Sequence, residues 1–167
     1  LHMLAIIALP ASNLDLNLLA IQIAESSEQE KARSWLGSLY NNTGWSYHDM
    51  GDYESALKVF QKAEAVRKSK GRVNEIRIAQ WCVARTLRSL KRVEEALSKQ
   101  MALKAEFEAA GERDGYVFEE LGECLLALER AQEAQLYFAK AYEILSQDTW
   151  LAEKEPDRIA RLKELAA

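Results

Sequence analysis

The residues whose types permit catalysis or metal binding are few, and they are scattered. His48 is the one histidine away from the N-terminus. Acid–base work or metal ligation needs convergent partners, and none stands at ligand spacing around it. The adjacent Asp49 points elsewhere on a helix. Glu119, Glu120 and Glu123 form a carboxylate cluster, which reads as solvated charge on a helix face. Cys82 and Cys124 lack the short spacing of a disulfide or metal framework, so two reduced thiols of a cytoplasmic protein are expected. There is no Gly-rich phosphate loop, nucleophile elbow or paired-cysteine motif. The expectation is a chain with no catalytic residue, no metal and no cofactor, and hence not an enzyme.

Recognition chemistry is better represented. Ser34, Ser38, Asn41, Trp45 and His48 fall within about 80° of one another on a helical wheel, at roughly 100° per residue. Arg77, Trp81, Arg85 and Arg88 form a second such stripe, and Tyr116, Glu119 and Glu123 a third. The first is uncharged apart from any proton on His48, the second basic and the third acidic. Arg77 and Arg85 flank Trp81 by one helical turn. An indole between two guanidinium groups suits stacking, cation–π contact and carboxylate pairing. Simple packing of Trp45 and Trp81 between neighbouring elements is the alternative, since it also uses their large area.

The elements that carry these stripes follow from a repeated pattern. Gly44–Ala56–Phe60–Ala63, Ala84–Ala96–Gln100–Leu103 and Gly122–Ala134–Phe138–Ala141 share internal offsets of 12, 4 and 3, and their starts lie 40 and then 38 residues apart. A period in this range indicates stacked supersecondary units. Apolar residues recur at helical spacing almost throughout, with no sustained alternation of the kind a strand shows. Helices are predicted over about 28–50, 53–70, 73–90, 93–110, 116–128 and 131–145, with breaks at Gly51-Asp52, Lys70-Gly71 and Gly111. Lys62, Arg67, Lys68 and Lys70 suit the negative end of the helix dipole there. Glu155-Pro156-Asp157 starts a last helix, whose Ile159, Leu162 and Leu165 cover the preceding apolar face while Arg158 and Arg161 face water. The small residues Gly44 and Gly122 are expected opposite Ala56 and Ala134, where two helices cross closely.

Composition agrees with this picture. The chain has 167 residues, with 49% hydrophobic and 29% charged residues, 7 Gly and 2 Pro: a globular, turn-poor, helical protein. A net charge of −4 argues against a general nucleic-acid or acidic-membrane binder. The run Leu4–Leu9 is far too short to span a bilayer and lacks a preceding basic residue. It reads as the cut edge of a helix from an upstream repeat, and residues 14–24 as the second helix of that repeat.

These positions resemble the tetratricopeptide repeat. The first unit, Tyr40-x-x-Thr43-Gly44-x-x-Tyr47-x-x-x-Gly51-x-Tyr53-x-x-Ala56-x-x-x-Phe60-x-x-Ala63, matches best. The third, Phe118-x-x-Leu121-Gly122-x-x-Leu125 with Ala134, Phe138 and Ala141, is nearly as good. The middle unit is degenerate, with Lys91 for the turn Gly, Gln100 for the aromatic and Leu103 for the small residue. The resemblance spans about residues 37–147, with a period longer than the usual 34. It implies an all-α, right-handed superhelical stack of antiparallel helix pairs and assigns the three stripes to a concave groove. The family's carboxylate clamp uses Lys and Asn where this chain has Asn41 and Trp45, then Trp81 and Arg85, so binding of a chaperone tail is not implied.

The expected organisation is a remnant helix over 1–28, three helix pairs over 29–147 (about 29–70, 73–111 and 114–147) and a capping helix over 150–167. The expected function is protein–protein interaction: a cytoplasmic adaptor or sensor part of a bacterial-type protein that binds a peptide or helix carrying acidic groups. Two rivals remain open. One is a homo-oligomer formed through the apolar N-terminal edge; the other is a domain sensing an oligopeptide or small molecule for a regulator.

Overall fold

The computed structural model describes residues 10–167, with side chains from residue 14 onward. The expectation placed on Leu4–Leu9 lies outside the described residues. Every regular element among the described residues is a helix. The chain divides into two compact units, one ending at Leu90 and the other beginning at Lys91.

Unit 1 holds α1 (Pro10–Ser26), the single turn α2 (Glu30–Arg33), α3 (Leu36–Asp49), α4 (Tyr53–Lys70) and α5 (Val73–Ser89). Unit 2 holds α6 (Val93–Ala109), α7 (Gly115–Ala127), α8 (Ala131–Leu145), α9 (Thr149–Lys154) and α10 (Pro156–Leu165). Neighbours in sequence pack on one another: α1 and α4 flank α3 and α5 packs on α4, while in unit 2 α7 lies between α6 and α8, and α10 packs on α8. The helix predicted from 28 to 50 is broken at Ser34-Trp35, where the Ser34 hydroxyl turns back to donate to the Lys31 carbonyl at 2.7 Å. At the other end, two helices stand where one was expected. Asp148 caps α9 by accepting from the Leu151 amide at 3.1 Å, and Glu155 leaves helical geometry before α10 starts at Pro156.

The turns explain how one repeat pattern survives three different sequences. Gly51 (φ 80°) has its counterparts 40 and 78 residues later in Lys91 (φ 63°) and Glu129 (φ 61°). Left-handed geometry suits glycine and strains the other two. The residue after each starts the next helix in its own way. Asp52 accepts from the Ser55 amide at 3.1 Å, a side-chain cap. Arg92 and Arg130 instead pair with Glu95 and Glu133 at 2.7 Å, three residues on.

The close approach within each helix pair differs from expectation. A Cβ built on Gly44 would lie 2.5 Å from Cε1 of Phe60, and one on Gly122 2.7 Å from Cε1 of Phe138. An aromatic ring thus lies against each glycine, nearer to it than any atom of Ala56 or Ala134. Phe60 and Phe138 are fully buried, each contributing on the order of 1.5–3 kcal/mol by leaving water. Gln100, at the corresponding position of the middle set, is fully buried, and neither of its amide atoms makes a hydrogen bond.

In unit 1 the core runs from α1 (Ala20, Ile21, Ala24) through α3 (Leu39, Tyr40) to Ala63 of α4. The Tyr40 hydroxyl donates to the Glu25 carboxylate and so ties α3 to α1. The opposite face of α1 leaves Leu18, Leu19 and Ile23 exposed. In unit 2 Leu151 and Leu162 are fully buried, whereas Leu136 of α8 is 64% exposed.

Candidate interaction surfaces

In unit 1 the faces of α3 and α5 meet around an aromatic cluster. The Trp45 ring lies 5.3 Å from Phe60 and 5.2 Å from His48, both edge-on, and 6.1 Å from Trp81 of α5. The Arg85 guanidinium stands over the Trp81 ring at 5.7 Å. His48 also faces Tyr53, and its Nε2 is 3.0 Å from the Ser89 hydroxyl. Both tryptophans remain half-buried. Such a surface combines large apolar area, a polar rim and a cation above an indole, which is chemistry for binding and not for bond breaking.

Beneath it, Asn41 acts as an internal acceptor. Its Oδ1 takes a hydrogen bond from Nη1 of Arg67 at 3.4 Å and lies 3.8 Å from the Cys82 sulfur. Burial pushes the Cys82 thiol up to about 12, outweighing the opposite pull of the Arg67 and Arg85 guanidinium groups. The thiol therefore stays protonated and unreactive. Cys124 is likewise buried and in no disulfide.

The first two stripes come together only in part. Asn41, Trp45 and His48, all half-buried, lie on one side of α3 with the exposed Ser38. Ser34 does not join them, because it sits in the turn before α3, where its carbonyl accepts from Lys70 Nζ at 2.8 Å. On α5, Trp81, Arg85 and Arg88 are half-buried, but Arg77 is buried and so is no surface cation as the wheel suggested. Arg67, expected to suit the negative end of the α4 dipole, is also buried. Its last hydrogen bond, to the Glu75 carbonyl at 3.2 Å, joins α4 to α5. No local signal marks that role, since both partners lie on other helices.

The third stripe is engaged by the chain itself. Glu119 is 8% exposed and accepts from Arg158 of α10, with Nε to Oε1 at 2.9 Å. Arg158 also pairs with Glu155 at 3.0 Å and stands 5.1 Å above the Tyr116 ring. Arg161 pairs with Glu123 and lies 5.9 Å from the centre of Phe138. Burial disfavours the Arg158 cation, but its bonds to Glu119 and Glu155 more than offset this and hold its pKa above the ordinary value. Arg158 is thus half-buried against Glu119, contrary to the expectation that it faces water, whereas Arg161 stays exposed while pairing with Glu123. The acidic stripe that seemed open to a partner already carries two guanidinium groups. Among the described residues no group of His, Cys, Asp or Glu side chains could hold a metal ion, and no helix is long and apolar enough to cross a membrane.

Comparison with known proteins fits this geometry. A family model of the tetratricopeptide repeat matches residues 37–69. No curated protein sequence matches the chain. Among solved structures, the fold is similar to that of a Podosopora anserina protein assigned as a kinesin light chain, with nearly identical TPR-like repeats. The TM-score is 0.66 at 15% identity, over 94% of this chain and 85% of that one. A point variant of the same protein gives a TM-score of 0.67 at 15% identity, over 94% and 84% of the two chains. At such identity the likeness concerns the fold.

Proposed function

Because the chain carries a tetratricopeptide repeat at residues 37–69 within an all-α fold of TPR-like repeats, we propose that it binds a partner protein through the α3–α5 face of unit 1. Repeats of this family generally mediate protein–protein interaction and generally form non-catalytic scaffolds. The partner segment is a peptide or helix carrying acidic groups, and the protein serves as an adaptor or sensor in the cytoplasm. The register of the three sets supports reading α3–α4, α5–α6 and α7–α8 as three repeats, with α10 as a cap.

One observation carries this reading. Trp45 and Trp81 lie side by side at a tilt across two helices, stay half-buried, and the Arg85 guanidinium stands over the Trp81 ring. Desolvated Trp and Arg anchors commonly contribute ~2 kcal/mol or more each to an interface. The two free, buried cysteines suit a reducing compartment. The test begins with a partner recovered by pull-down and measured by calorimetry. Trp81→Ala with Arg85→Ala should weaken its binding at least tenfold, while Lys99→Ala on α6 leaves it unchanged. Normal binding by the double variant would move the interface elsewhere.

A second reading rests on the exposed trio Leu18, Leu19 and Ile23 of α1. A helix apolar on several sides is normally covered, and self-association through this face would cover it. Light scattering across a concentration series distinguishes the two, because the α1 reading requires a mass that rises with concentration and falls on Leu19→Glu.

A further inference from the structure

Unit 1 buries a guanidinium that makes no direct ion pair among the described residues. Arg67 is 7% exposed, yet among the described residues no carboxylate stands within ion-pair distance of it. Its Nη1 donates to Asn41 Oδ1 at 3.4 Å and to the Glu75 carbonyl at 3.2 Å. Glu75 bonds it only through the main chain: its carboxylate is held by Arg72 at 2.8 Å and, although the Arg67 charge acts on it, makes no ion pair with Arg67. Nε is buried and makes no hydrogen bond. An amide oxygen and a carbonyl supply dipoles, but a charge withdrawn from water is normally matched by another charge.

The unused edge of this guanidinium has a definite chemical preference. With Nη1 occupied, what remains is Nε and Nη2, the side that holds a carboxylate or phosphate through two parallel bonds. Gly37 of α3 packs against the stem and Nε of that side, so a ligand would first meet Nη2. A Cβ there would lie 3.4 Å from Cγ and 3.6 Å from Nε of Arg67. Asn41, which orients the group, lies on the same face of α3 as Trp45.

We propose that Arg67 anchors an oxyanion, a carboxylate or a phosphate, carried by the segment that docks on the α3–α5 face. The proposal rests on the protein-binding reading above and names the group that enters most deeply. The ligand supplies the missing counter-charge, so binding and stability are coupled at this one residue. Arg67 reaches the site from α4, the second helix of its pair, and therefore lies outside the three stripes that a helical wheel reveals.

Thermal unfolding of the full chain in sodium acetate, sodium phosphate and sodium chloride at equal ionic strength tests this without any partner. The wild type should show a saturable rise in Tm of several degrees in acetate or in phosphate relative to chloride; comparing the two arms separates a carboxylate site from a phosphate site. Arg67→Met keeps the packed stem, loses the charge and should lose the response, while its Tm in chloride stays at or above that of the wild type. Gly37→Ala, which sets a methyl group beside Nε, should reduce the response with Arg67 still present. Identical behaviour of wild type and Arg67→Met in all three salts would overturn the proposal. So would a large drop in Tm for Glu75→Gln that Arg67→Met cancels in the double variant, because Glu75 would then already be the counter-ion. Failure here leaves partner binding at Trp81 to its own test, and failure there leaves the salt response standing.

Discussion

One methyl group added at each of two glycines on α3 should shift stability in opposite directions. In an exposed helix, Gly→Ala stabilises by roughly 1 kcal/mol through backbone entropy. At Gly37 the new Cβ would first meet Arg67 Cγ at 3.4 Å, an ordinary contact, so the propensity gain should survive as a stabilisation of up to ~1 kcal/mol. At Gly44 it would stand 2.5, 2.6 and 2.7 Å from three ring atoms of Phe60. Carbon atoms rest at about 3.5–4.0 Å, so the ring must retreat by about 1 Å. It has little room, since Phe60 is 0% exposed and its outer edge already touches Trp45. Overpacking of this kind costs ~1–3 kcal/mol, which exceeds the propensity gain and leaves Gly44→Ala less stable by up to ~2 kcal/mol. Urea unfolding followed by far-UV circular dichroism, with the slope m unchanged, measures both effects. Phe60→Leu should relieve the clash, giving a coupling above ~1 kcal/mol in the double-mutant cycle. If both alanines stabilise, or if Phe60→Leu and Gly44→Ala simply add, the ring-on-glycine account is wrong.

Other consequences can be checked in the same way. Lys91→Gly and Glu129→Gly remove left-handed strain worth roughly 1–2 kcal/mol and should each raise the unfolding midpoint, whereas Gly51→Lys should lower it. Gln100→Met replaces two unbonded buried amide atoms by an apolar chain of similar length and should stabilise by ~1–3 kcal/mol, again by urea unfolding. Arg158→Ala strands the buried Glu119 carboxylate and should cost ~1–3 kcal/mol after allowance for the part-exposure of the arginine, while Lys163→Ala on the same helix is neutral. Hydrogen bonding by the Ser55 side chain, and then by its amide, holds the Asp52 carboxyl below its usual range. Its contribution is therefore present above the ordinary carboxylate pKa and fades as pH falls through the lowered value. Asp52→Ala should lose stability at neutral pH and show a flatter acid limb in a pH series of melts.

How far the sequence discloses this molecule depends on the range of the interaction. The offsets that link Gly44 to Phe60 and Gly122 to Phe138 are visible because both partners recur in register, and they specify helix pairs without any contact being known. Asp52, Gly51 and Gly71 announce turns through local chemistry. The break at Ser34-Trp35 carries no Gly or Pro, so periodicity runs straight through it. The charges were the hardest to place. Glu119 and Arg158 are 39 residues apart, and Arg67 and Asn41 26 apart. A wheel drawn on one helix shows which residues share a face, but it cannot show which other helix comes to cover that face. For that reason Tyr116, Glu119 and Glu123 look open in sequence and are engaged in the fold, and Arg77 looks like a surface cation and is buried.

The central claim, that a partner docks on the tryptophan face of unit 1, is most directly tested by hydroxyl-radical footprinting of the four tryptophans with and without the recovered partner. Trp35 and Trp150, at 47% and 60% exposure, serve as internal references on the same chain. The account predicts that oxidation of Trp45 and Trp81 falls severalfold in the complex while that of Trp35 and Trp150 is unchanged. Undiminished oxidation of Trp45 and Trp81, with protection appearing at Trp35 or Trp150 instead, would contradict it.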